Sequence, residues 1–160
     1  MAVQHEGVKA DILTAGYEGA SLTDFIATLQ GAGVQVLVDA RELPLSRRAG
    51  FSKRPLGAAL AEAGIEYRHW KALGTPKEIR HAVKATGDYA AFRRDYLAHL
   101  DWLTGELEGL ARLAAERRVA VMCFEADPRE CHRSLIAERM QELGLLGAVE
   151  HLAVPAGGGS

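Results

Sequence analysis

Cys131, His132, Arg133 and Ser134 are consecutive, so a thiol, an imidazole, a guanidinium and a hydroxyl meet at one point of the chain. Just upstream, the apolar run Val119 to Cys123 leads into a polar segment holding Glu125 and Asp127. A buried strand that empties into a polar corner and reopens as a helix is a usual place for chemistry. The strand's last side chains and the helix's free N–H groups converge there on one crevice. A helix start favours a thiolate and Arg133 would favour it further, which makes Cys131 a candidate nucleophile. His132 and Glu125 are candidates for proton transfer. The structural alternative is that Cys131 packs as a small apolar residue while Arg133 pairs with Glu125 or Asp127 and braces the corner.

A second polar corner follows the run Val34 to Val38, which ends in Asp39-Ala40-Arg41. The fourteen residues from Arg41 to Arg54 form a loop long enough to suggest a function. Arg41, Arg47, Arg48, Lys53 and Arg54 against Glu42 give it a local balance of +4. Guanidinium forks match phosphate and carboxylate in shape and charge, so Arg41, Arg47, Lys53 and Arg133, with Ser46 and Tyr17, are candidate ligand-binding residues. Asp39 and Glu18 join the proton-transfer candidates. Solvated ion pairs to Asp39 and Glu42 are the plainer reading of this loop. Phe51 is expected to pin the loop to the core, since one aromatic is too few for a nucleic-acid track.

Other chemistries fit less well. Cys123 and Arg129 have the Cys-x5-Arg spacing of a phosphatase loop, but the segment between them carries two acids and no glycine. A thiol redox pair of Cys123 and Cys131 would need their Cα atoms within about 7 Å, and the place of Cys123 inside a strand argues against it. Cys131, His132, His69 and His151 with Glu125 or Asp127 follow no zinc spacing, so neither metal nor cofactor is expected.

The elements that must position these residues alternate. Residues 10 to 15 read as a strand closed by Gly16-Tyr17-Glu18-Gly19. Ser21 with Asp24 then starts a helix carrying Leu22, Phe25, Ile26 and Leu29. Pro55 opens a short helix that Gly64 stops, and residues 65 to 69 form a third strand. Gly74 to Lys77 opens another polar connection, ahead of Asp88. Asp88 caps a long helical stretch from Phe92 to Leu110, which Gly105 would divide. Residues 118 to 124 are the most apolar strand, residues 131 to 143 a helix and residues 149 to 154 a last strand. This alternation predicts an α/β fold: a single three-layer domain over residues 10–154 with an open, mainly parallel sheet flanked by helices.

Composition sets further bounds. Nineteen basic and twenty-one acidic side chains leave a net charge of −2, so any affinity for nucleic acid must come from a local patch. Two cysteines are too few for a secreted disulfide scaffold and fit a reducing compartment. No signal-peptide pattern and no long apolar run is present, so a cytoplasmic protein without membrane contact is expected. Residues 155 to 160 read as a flexible tail.

Thr14-Ala-Gly-Tyr-Glu-Gly19, Val38-Asp-Ala-Arg41, Pro44-Leu-Ser-Arg47, Gly50-Phe-Ser-Lys53, Leu73-Gly74, Cys123-Phe-Glu125 and Cys131-His-Arg133, in that order, resemble the family catalogued as domain of unknown function 488. The resemblance covers about residues 11 to 153 and implies a compact bacterial or archaeal α/β domain with no established activity. Val36 to Arg41 is also similar to the strand-Asp-x-Arg segment of rhodanese-type sulfurtransferase domains, a likeness of fold only, because Cys131 begins a helix away from the strand end. The leading expectation is a small enzyme or ligand-binding domain for a small anionic molecule, phosphate-containing or nucleotide-like. A nucleic-acid-binding module and a thiol-based redox protein are the rivals. The oligomeric state is not legible in the sequence.

Overall fold

The structure, a computed structural model, describes residues 10–156. The expected tail therefore lies mostly outside the described residues. Five strands, β1 (Ala10–Gly16), β2 (Val36–Asp39), β3 (Glu66–His69), β4 (Val119–Cys123) and β5 (Leu146–His151), form one parallel sheet in the order β3-β2-β4-β1-β5. Six helices connect them: α1 (Leu22–Gly31), α2 (Lys53–Glu62), α3 (Lys77–Thr86), α4 (Tyr89–Leu100), α5 (Thr104–Glu116) and α6 (His132–Glu142). The expected three-layer α/β fold is observed.

Side-chain alternation along the strands builds two cores. Leu13, Leu37, Ala120 and Met122 face one side, where Phe25 and Leu29 of α1 and Leu56 and Leu60 of α2 cover them. Ile12, Val36, Val38, Val119 and Val121 face the other, under Tyr96, Leu107 and Ile136 from α4, α5 and α6. With both faces covered, all five residues of β4 are buried, and an unbroken apolar run is the strand's natural sequence.

Strand order locates the site. The chain moves outward from β1 to β2 to β3 with its helices on one face, then returns through β4 to β5 with its helices on the other. A right-handed crossover requires that change of face when direction reverses. The chain therefore leaves β4 toward one layer and its neighbours β1 and β2 toward the other, which opens a crevice at their carboxyl ends.

Three local expectations are corrected. Residues 77–86 form α3 rather than a polar connection. No residue of that helix is fully buried, and its core contacts come from the half-buried Ile79 and Val83. The long helical stretch divides at Asp101 to Leu103, while Gly105 lies inside α5. The last strand begins at Leu146, three residues early, because Gly144 with φ of 74° ends the helix turn there. Among the described residues no helix is long and apolar enough to cross a membrane.

Candidate functional site

The end of β2 fixes Arg41. Asp39 is fully buried, and its Oδ1 accepts from the Arg41 backbone N–H (3.1 Å) and Nε (2.8 Å), while Oδ2 accepts from Arg41 Nη2 (2.7 Å) and Tyr67 Oη (2.5 Å). Burial, then the hydrogen bond to Asp39, raises the Tyr67 pKa and keeps it a donor. With four donors on its carboxylate, Asp39 orients Arg41. Arg41 Nη1 donates to Tyr17 Oη (3.1 Å). Burial pulls the Arg41 pKa down, but the Asp39 hydrogen bonds and charge, with help from Tyr17, outweigh it and raise the pKa. The Tyr17 ring stacks on buried Phe51 (centroids 4.4 Å apart, 10° between planes) and meets Phe124 edge-on. Phe51 thus pins the loop.

Over Arg41 opens a cavity of about 950 Å³ between the 41–48 loop and α3. Five cations, Arg41, Arg47, Arg48, Arg80 and Lys84, line it against two carboxylates, Glu42 and Glu125. Tyr17, Phe124, Leu43, Leu45, Tyr89 and Phe92 supply apolar wall. Arg80 Nη1 binds Glu42 Oε1 (2.7 Å) and the Thr75 carbonyl (3.0 Å), and Arg48 donates to the Ala20 carbonyl. Arg47 and Lys84 are exposed. Ser46 lines the cavity and shapes the loop: its Oγ accepts from the Arg48 N–H and its N–H donates to Ser52 Oγ, both at 3.0 Å. Lys53 does not line the cavity; it is exposed at the start of α2.

The β4–α6 corner differs from expectation. Arg133 is 1% exposed and stays outside the cavity wall. Its Nε donates to Thr14 Oγ1 (3.0 Å), Nη1 to Cys123 Sγ (3.3 Å) and the Glu125 carbonyl, and Nη2 to the Ala126 carbonyl (3.1 Å). Burial lowers its pKa to about 10 against the opposing pull of Glu125 and Asp127. It braces the corner through a hydroxyl, a sulfur and two backbone carbonyls, with the charges of Glu125 and Asp127 nearby. Gly16 is required beneath it, since a Cβ there would lie 1.8 Å from the Glu125 carbonyl oxygen. Glu18 is exposed off the cavity, and its Oε1 accepts from the Ala126 N–H (3.1 Å). Glu125 is half-buried and does line the cavity.

His132 opens α6 at the cavity edge. Its Nε2 lies 2.7 Å from the Ala40 carbonyl, which can only accept, so Nε2 carries the proton and Nδ1 the lone pair. Burial pushes its pKa down to about 4, and the Arg133 charge acts in the same direction. Nδ1 is 3.7 Å from Cys131 Sγ. Cys131 is bridged to Cys123, with Cα atoms 7.2 Å apart. The strand position of Cys123 therefore does not keep the two apart: it is the last residue of β4, and the corner returns Cys131 to it. Cys131 is buried, bridged and absent from the cavity wall, so in this state it is not a free nucleophile.

Sequence reasoning missed Arg80 and Lys84. They lie four apart on α3 and so share one helix face, a signal that exists only once residues 77–86 are read as a helix. No curated protein and no solved structure matches the chain. The model of one family, Domain of unknown function DUF488, matches residues 21–140, which include α1, the cationic loop, α3, β4 and most of α6. The chain therefore belongs to the DUF488 family.

Proposed function

We propose that the cavity over Arg41 binds a small anionic molecule, phosphate-containing or nucleotide-like. The observation that carries this reading is the lining of a cavity of about 950 Å³ by five cations and two carboxylates in a chain whose net charge is negative. Arg41, Arg47 and Lys84 hold the anion, with Arg41 aimed by Asp39 and Tyr17. The aromatic and leucine wall suits a base or sugar next to the phosphate. Among the proton-transfer candidates, Glu125 is the carboxylate at the wall, and it is the group to test if the bound molecule also reacts. His132 donates its one N–H to the Ala40 carbonyl, so its free Nδ1 is available only as an acceptor. The reading has the protein working in the cytoplasm on a small molecule. A nucleic-acid reading loses its stacking residue, because Phe51 is buried.

The test is a thermal-shift panel of phosphate, pyrophosphate, nucleotides, sugar phosphates and short oligonucleotides on the wild type and on Arg47→Ala/Lys84→Ala. One class of small phosphate should raise the wild-type Tm and do so far less in the double variant. A shift produced by oligonucleotides alone, falling steeply with salt, would transfer the site to nucleic acid. No shift with any anion would refute the proposal.

A further inference from the structure

We propose that Cys123, Cys131 and His132, with the cysteines reduced, form a buried site for a zinc-class divalent cation at the edge of the cavity. The two sulfurs and a ring nitrogen of His132 lie within 4.8 Å of one another, and all three residues are buried. A tetrahedral zinc ion with sulfur at ~2.3 Å and nitrogen at ~2.0 Å has ligand-to-ligand edges of roughly 3.5 to 3.8 Å. The 3.7 Å from Cys131 Sγ to His132 Nδ1 is such an edge. In the bridged form the two sulfurs are bonded to each other. Their Cα atoms, 7.2 Å apart, are wider than the ~4.4 to 6.8 Å usual for a disulfide, which leaves room for an ion between two thiolates.

The surroundings are those of a ligand set. The Nε2–H of His132 on the Ala40 carbonyl fixes the ring and leaves Nδ1 as donor atom, the outer arrangement that metal-binding histidines commonly have. Arg133 Nη1, 3.3 Å from Cys123 Sγ, is placed to donate to a thiolate. Glu125 Oε1 lies 3.9 Å from the same sulfur on a residue of the cavity wall, but it stands outside the cluster of three ligand atoms. Charges balance: two thiolates offset the cation, and Glu125 offsets Arg133. A reducing compartment, which the cysteine count favours, keeps the pair as thiols. The spacing Cys123-x7-Cys131-His132 follows no zinc pattern, so it is the fold that assembles the set. The inference does not depend on the anion reading.

The test uses the full chain and cobalt(II). A water-soluble phosphine first reduces the bridge: the disulfide gains two electrons and two protons, and the phosphine takes up the oxygen of one water. After the phosphine is removed without air, a thiol assay should count two thiols and far-UV circular dichroism should be unchanged. Cobalt is then expected to saturate at one equivalent, with sulfur-to-cobalt charge-transfer bands and the intense visible bands of tetrahedral cobalt, which zinc abolishes. Protein left bridged and Cys131→Ser should show none of these bands. Reduced, folded wild type that gives no such bands would overturn the proposal, as would a Cys131→Ser variant that keeps them.

Discussion

Arg41 and Arg133 are both buried at the carboxyl edge of one sheet, yet they differ in what satisfies them. Arg133 donates to a hydroxyl, a sulfur and two backbone carbonyls, and no part of it lines the cavity. Arg41 is held from behind by a buried carboxylate and from the side by Tyr17, and it forms part of the cavity wall. A cation enclosed by neutral acceptors ties chain segments together. On the anion-binding proposal, a cation oriented by a carboxylate at a cavity wall is the one held for a second anion. The comparison separates architecture from site where residue type alone does not.

The largest expected effect is on the architectural side. Arg133→Ala leaves Thr14, two carbonyls and Cys123 without their donor, and should cost on the order of 4 kcal/mol in urea unfolding or prevent folding. Gly16→Ala should lose about 3 kcal/mol or more, since both the Glu125 backbone and Arg133 would have to move. Next comes Asp39→Ala, which leaves Arg41 as an uncompensated buried charge and should cost about 3 kcal/mol while also weakening anion binding. Arg47→Ala/Lys84→Ala should stay within ~0.5 kcal/mol of wild-type stability yet lower affinity for a phosphate ligand roughly tenfold, as read by calorimetric titration. Lys53→Ala should alter neither stability nor affinity by more than ~0.5 kcal/mol. If Lys53→Ala weakened binding as much as the double variant does, a diffuse basic loop rather than a built cavity would be the binding feature.

Much of this contrast was legible in the sequence only up to the strand ends. Asp39-Ala40-Arg41 and Cys131-His132-Arg133 could be set on one edge because strands joined by helices run parallel, and the strand end of each corner is marked by apolar residues giving way to charge. Two of the four acceptors of Arg133 are backbone carbonyls, which leave no trace in residue identity, and the other two, Thr14 and Cys123, are not its neighbours in sequence. Phe51 was readable as a pin because a lone aromatic has little use on a polar loop. Helix α3 was not, since Ile79 and Val83 are its main apolar contacts, and with it went Arg80 and Lys84. The cysteine pairing was hidden by the turn from Asp127 to Cys131, whose path depends on the Asp127 cap and on Arg133 rather than on a residue pattern.

The most direct test of the contrast is arginine side-chain NMR. In ¹⁵N-labelled protein, the Nε–H resonances of Arg41 and Arg133, assigned with Arg41→Lys and Arg133→Lys, are followed as pyrophosphate or a nucleoside diphosphate is added. The account predicts that the Arg41 resonance shifts to saturation while that of Arg133 stays in place. A shift of Arg133 with Arg41 unmoved would contradict it, as would two resonances that no phosphate ligand disturbs.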